Sequence, residues 1–173
     1  MVNVGVGRFT TISGENLIGK KSYPIMTNPV EGFTPFPKDF SQAKHDMFLL
    51  NFFATWCAPC QKEHPNLIKL SKDYEVHIMG VVTRDSPKRI TDYLRENGNP
   101  YDYLGVDKMD ITAVNYQVKG IPESYLVARD GKVIAFYSGF LSEQVLAEKF
   151  IPHLKTRLKL RKKIAPEPTP PAE

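Results

Sequence analysis

Two short stretches constrain this chain more than any other feature. Met47 to Ala54 ("MFLLNFFA") and Val76 to Thr83 ("VHIMGVVT") are apolar almost without a break. Continuous rather than alternating apolarity marks strands buried on both faces, as in a parallel sheet covered by helices. Between them, from Cys57 to about Tyr74, the apolar spacing turns helical. Leu67, Ile68 and Leu70 fall on one side, and Pro65 is placed to kink the helix. Two buried strands joined by a helix predict a right-handed parallel crossover.

Downstream, Ser86 followed by Pro87 reads as a cap with proline at the first helical position, opening a helix to Asn97 that Gly98 closes. A short strand near Tyr103 to Val106 and a short helix around Ile111 to Tyr116 follow. "SYLVARDGKVIAFYSG" predicts a hairpin turning at Asp130-Gly131. Ser142 caps a last helix through Phe150, bent at Pro152 and continued as a basic turn to about Ile164. The expected fold class is therefore α/β, a mixed central sheet flanked by helices.

Domain limits follow from the proline distribution. Residues 1–45 carry Pro29, Pro35 and Pro37 between short apolar pieces, which predicts an irregular lead-in with an edge hairpin, because proline cannot serve a central strand. The core domain is expected over 46–164, and the Pro-rich "APEPTPPAE", 165–173, is expected to be a disordered tail.

At 173 residues the chain suits one core. Its formal net charge is +4, yet "KTRLKLRKK", Lys155 to Lys163, alone brings six positive charges, so the remainder sums to −2. A nucleic-acid face needs basic residues along a groove with aromatic or polar readers, and nothing outside this run supplies them. The run reads as a solvated helix end at the negative pole of the dipole, or as a patch that adheres to an anionic membrane surface. No stretch approaches the ~20 apolar residues of a spanning helix.

Both cysteines lie in "LLNFFATWCAPCQKEHP". A buried strand ending at Thr55 delivers Cys57 to a helix start, where free backbone N–H groups and the dipole favour a thiolate. Cys60, at i+3, lies on the same helix face and can close a disulfide; Cys57 is expected to face outward and attack, with Cys60 one turn inward to resolve. Other chemistries compete. A zinc site needs four ligands, and His64 offers a third without a second pair to complete it. Haem attachment requires His directly after the second cysteine, where this chain has Gln61. A structural clasp closing four residues would restrict the unfolded chain little.

"KGIPESYLV" adds a second half to the site. Pro122, after Ile121 at a strand entrance, is placed to be cis and to leave the Ile121 backbone free to pair with an extended substrate strand.

Together, "FFATWCAPC", a helix with an internal proline, and a distant "GIPES" before a DG hairpin resemble the thioredoxin superfamily. "WCAPCQKEHP", "GNPYDYLGVD" and "YQVKGIPESYLV" are similar to the cytochrome c maturation thioredoxins called CcmG or DsbE, close to the TlpA and ResA group. The resemblance covers about Lys44 to His153. It implies a thioredoxin fold with an extra helix-containing insertion between the active-site helix and the cis-proline, here about Ser86 to Asp110. It implies a membrane-anchored periplasmic thiol-disulfide oxidoreductase, without cofactor, that reduces apocytochrome c or a maturation partner holding its cysteines. Recharging by a transmembrane thiol carrier of the DsbD or CcdA type is implied too.

Carried over by position, Cys57 matches the attacking thiol, Cys60 the resolving thiol and Pro122 the cis-proline. Glu63, one turn beyond Cys60, matches an acidic residue able to take or return the Cys60 proton if burial raises its pKa. Ordinary thioredoxins carry a buried Asp six residues before the first cysteine, where this chain has Asn51, which cannot shuttle a proton. Glu123 matches a second acidic position, whose charge near the sulfurs would oppose thiolate formation. Trp56 and Ile121 are expected to form the docking surface beside Cys57.

Overall fold

The computed structural model describes residues 13–37, 45–74 and 76–156. The expected basic turn beyond 156, the tail 165–173 and residues 1–12 and 38–44 of the lead-in lie outside the described residues.

The two apolar runs form β2 (Met47–Phe53) and β3 (His77–Thr83), every residue of each buried. They pair in parallel, Leu49 opposite Ile78 and Phe53 opposite Val82, joined by α1 (Ala58–Asp73), which contains Pro65. A second crossover through α2 (Pro87–Asn97) adds β4 (Tyr103–Asp107) parallel to β3. Ser86 Oγ accepts from Arg89 N at 3.3 Å, and Gly98 at φ +86° leaves the helix. The five-residue α3 (Ile111–Asn115) leads to the hairpin β5 (Glu123–Ala128) and β6 (Val133–Ser138), which turns at Gly131. β5 runs antiparallel to β2, giving a six-stranded mixed sheet of order β1-β4-β3-β2-β5-β6, with β1 being Asn28–Pro29.

Alternation along β2 divides the core in two. Met47, Leu49 and Phe53 face α1 and α2, meeting Leu67, Leu70, Ile90 and Leu94, together with Leu146 and Phe150 from the C-terminal helical segment. Phe48, Leu50 and Phe52 face the other way, toward Ala113, Tyr116, Tyr125 and Leu17. Burying each such side chain contributes about 1.5–3 kcal/mol relative to exposure.

The described residues of the lead-in pair with both edges of the sheet. After a 3-10 turn at Gly14–Leu17, Lys21 bridges to Lys132 at one edge of the sheet, and β1 pairs antiparallel with β4 at the opposite edge. It crosses the face away from α1, where Tyr116 Oη donates to Tyr23 O at 2.9 Å and Thr112 Oγ1 donates to Met26 O at 2.9 Å. That aromatic face carries α3 as its only α-helix among the described residues, so the lead-in supplies the missing cover. A β-carbon on Gly14 would collide with Tyr125 and Phe136, so this crossing requires glycine.

The last helix is less regular than expected. α4 (Glu143–Val145), capped by Ser142 Oγ on Val145 N at 3.1 Å, passes into a π turn over Leu146–Phe150 before the chain is helical again over 151–156. Pro152 has no N–H to donate back to Glu148, and the helix widens just ahead of it. Among the described residues no helix is long and apolar enough to cross a membrane.

Candidate active site

β2 ends in a turn that places Cys57 at the N-cap of α1, with extended backbone (φ −87°, ψ 109°). The Cys60 N–H points at Cys57 Sγ across 3.3 Å, the donor geometry that stabilises negative charge on that sulfur when the pair is reduced. Cys57 and Cys60 are joined as a disulfide. The Ile121–Pro122 peptide is cis, and Ile121 O lies 3.6 Å from Cys57 Sγ. Hence the helix start and the loop before β5, distant in sequence, meet at the sulfurs.

The expectation of an outward Cys57 needs correction. Both cysteines are 5% exposed and pack into the core on the α1 side of the sheet, with Ile121 packed against the same cluster. The exposed neighbour is Trp56, at 55%, its indole N–H donating to Arg84 O at 3.0 Å. Beside it runs a cavity of about 390 Å³ lined by Trp56, Arg84, Asp110, Val114, Lys119 and Ile121.

A buried polar network joins β2, α1 and β5. Glu63, 1% exposed, accepts from Asn51 Nδ2 at 2.7 Å and from Leu141 N at 2.8 Å. Asn51 also donates to Ser124 Oγ at 3.1 Å, and its Oδ1 accepts from Tyr101 Oη at 3.0 Å. The Tyr101 hydroxyl thereby fixes which end of the Asn51 amide faces Glu63. Burial pushes the Glu63 carboxyl up to about 7, against the opposing pull of the Leu141 N–H and the Asn51 amide.

Glu123 does not join this network. It opens β5 on the opposite sheet face, buried, and accepts from Lys119 N at 3.2 Å, Ser138 Oγ at 3.1 Å and Tyr125 Oη at 3.3 Å. Burial raises its pKa as well, with the Lys119 N–H opposing. The two glutamates that the sequence groups together are thus separated by the sheet, since Ser124 rather than Glu123 shares the face of Asn51. His64 is turned to Gly98 O, 2.9 Å from Nε2, and packs edge-on against Tyr93. Burial lowers its pKa, opposed by the Gly98 and Asn97 carbonyls.

Sequence reading missed Tyr101 and Ser124 as members of the network. "GNPY" carried a signal only as part of a resemblance, and a serine after Pro-Glu carried none.

Comparison with known proteins agrees with this geometry. Residues 30–136 match the AhpC/TSA family. The chain is 37% identical over 138 residues to the thiol:disulfide interchange protein HelX of Rhodobacter capsulatus, covering 80% of this chain and 77% of that protein. It is also 37% identical over 115 residues to the thiol:disulfide interchange protein CycY of Rhizobium leguminosarum, covering 66% of this chain and 62% of the relative. Among solved structures, a DsbE-type thiol:disulfide interchange protein from Chlorobium tepidum superposes with TM-score 0.62 at 22% identity, over 81% of this chain and 97% of that one. A thioredoxin from Neisseria meningitidis gives TM-score 0.62 at 19% identity, over 84% and 92% of the two chains. The fold is thioredoxin-like, the Cys57–Cys60 pair is its redox disulfide, and the chain belongs to the AhpC/TSA thioredoxin-like family as a thiol:disulfide oxidoreductase related to the DsbE/CcmG interchange proteins.

Proposed function

We propose that this chain is a periplasmic dithiol reductant of cytochrome c maturation, reducing apocytochrome c or a thiol protein that holds its cysteines. The observation that carries this reading is Glu63, a buried carboxyl one helical turn beyond Cys60 and pushed up to about 7. A group of that pKa exchanges protons near neutral pH, which a reductant's second step requires.

In this reading the Cys57 thiolate attacks a client disulfide, forming a mixed disulfide and expelling one client thiolate, which takes up a proton. Cys60 gives its proton to Glu63 and attacks Cys57 Sγ; the second client thiol leaves and Glu63 returns the proton. Two electrons and two protons pass to the client, and the Cys57–Cys60 disulfide remains. A transmembrane thiol carrier of the DsbD or CcdA type then restores the dithiol. Pro122 and the Ile121 backbone receive an extended client segment, Trp56 flanks it, and Glu123 shapes the loop from the far face of the sheet. The resemblance to anchored interchange proteins supports a reaction at the outer face of the inner membrane.

The segment from Ser86 to Asp110, carrying α2 and β4, is read as the family's helix-containing insertion. Residues 46–164 are read as the thioredoxin-like domain, with 1–45 as lead-in and 165–173 as tail. The lead-in's packing across the aromatic face supports treating it as part of the folded unit.

The test is capture. Cys60→Ala freezes the mixed disulfide, so an apocytochrome or maturation thiol protein should be recovered on Cys57 from a native lysate. Recovery of neither overturns the reading. A reduction potential near −270 to −180 mV fits a reductant, whereas roughly −120 mV would make the protein an oxidant.

A further inference from the structure

We propose that Asp85 is a positioning residue for the attacking thiol, acting through Thr55 to hold the turn that carries Trp56 and Cys57. The inference rests on the reading of Cys57 as that thiol.

The Asp85 side chain has no exposed surface, 0%. A carboxylate withdrawn from water must be satisfied by donors, and four reach it. Oδ2 accepts from Thr55 N at 2.7 Å and Thr55 Oγ1 at 2.6 Å; Oδ1 accepts from Ser86 N at 2.8 Å and Arg89 Nε at 3.0 Å. One oxygen therefore serves α2, and the other is devoted wholly to Thr55. Capping α2 does not explain this, because Ser86 already caps that helix through its own hydroxyl.

Thr55 lies two residues before Cys57, and its third polar group is held too: Gln61 Nε2 donates to Thr55 O at 2.7 Å. The turn is thus gripped from the β3–α2 loop on one side and from α1 on the other. The same loop holds Trp56, through Arg84 O. Arg84 has φ +51° and pairs with Asp110, itself at φ +54°, across 3.2 Å. Both are non-glycine residues in the left-handed region, Arg84 in this loop and Asp110 ahead of α3, so each segment is held by its contacts. Burial alone would raise the pKa of Asp85; the Thr55 hydroxyl and N–H, the Ser86 N–H and Arg89 together outweigh it and hold the group ionised.

The thiolate is favoured only while Cys57 Sγ stays at the N–H groups of α1, such as Cys60 N. Releasing Thr55 loosens that alignment. This gives positioning a signature opposite to that of a direct field. Removing the Asp85 charge would, through space alone, make the Cys57 thiolate easier to form. Losing the grip makes it harder.

The experiment is iodoacetamide alkylation of the reduced protein at pH 6, with the labelled cysteine identified by mass spectrometry. Asp85→Asn is expected to slow Cys57 labelling about three- to tenfold. Thr55→Val, which loses the hydroxyl bond but keeps the backbone one, slows it less and adds little to Asp85→Asn in the double variant. Thr55→Ser restores the wild-type rate. A rate that is unchanged or faster in folded Asp85→Asn overturns the proposal; should that variant not fold, an unchanged rate in Thr55→Val does so. Wild-type label on Cys60 overturns the assignment of Cys57 as attacking thiol and this inference with it, whereas label on Cys57 at an unaltered variant rate overturns the inference alone.

Discussion

Asn51 Nδ2 donates to Glu63 Oε1 across 2.7 Å inside the core, joining the central strand β2 to the second turn of the active-site helix. Its strand neighbours and Tyr101 leave the amide one satisfied orientation, so Glu63 meets an N–H donor at each carboxyl oxygen. Six residues before the first cysteine, where ordinary thioredoxins carry an Asp, this chain has the Asn51 amide, and the ionisable carboxyl lies across the hydrogen bond, on the helix.

Proton transfer by Glu63 predicts a kinetic effect. Glu63→Gln should slow reduction of a peptide disulfide about a hundredfold near pH 7, the lower end of what general acid-base catalysis supplies. Stopped-flow fluorescence of Trp56 follows the reaction; equal rates for wild type and variant across pH 6 to 9 would contradict the role.

The same carboxyl predicts a pH dependence of stability. Its folded pKa, about 7, lies above the ordinary 4.5, so the native state binds more protons than the unfolded chain between these values. Stability is then lost as pH rises from 4.5 to 7, by an amount on the order of 3 kcal/mol at most. Urea unfolding of the oxidised protein at pH 4, 5.5 and 7.5 should show this slope in wild type and its loss in Glu63→Gln.

Tyr101→Phe removes the hydroxyl that satisfies Asn51 Oδ1 and leaves that oxygen buried without its donor. A loss of about 1–3 kcal/mol is expected in urea unfolding. The amide, no longer held, should also let the Glu63 kinetic inflection move.

Trp56→Ala should raise KM for a peptide disulfide several-fold with kcat little changed, because the ring is 55% exposed and flanks the cavity without supporting the core. Stability should stay within about 0.5 kcal/mol of wild type. A kcat loss as large as the KM gain would place the ring in the chemistry rather than in docking.

Much of the molecule was legible along the chain. The runs at Met47 and Val76, the Ser86-Pro87 cap, Gly98 and the Asp130-Gly131 turn are local signals, each set by burial or backbone chemistry within a few residues. The lead-in was not legible as a cover. Its role depends on Phe48, Phe52, Tyr116 and Tyr125 gathering on one face, which no local pattern announces. The π turn ahead of Pro152 belongs with the legible features in cause, though its form was expected as a bend.

Read along the chain, the residues set most of the elements and put a dithiol at a helix start, a proline before a hairpin and a glutamate shortly after each. Which of those groups meet is set by strand pairing and packing. Side chains alternate across a strand, so the pairing of β5 with β2 sends Ser124 to Asn51 and Glu63 but Glu123 to the far face with Tyr125. Burial at that junction, a property of the packed sheet and not of the residue, is what lifts Glu63 from an ordinary carboxylate to a group that titrates near neutrality.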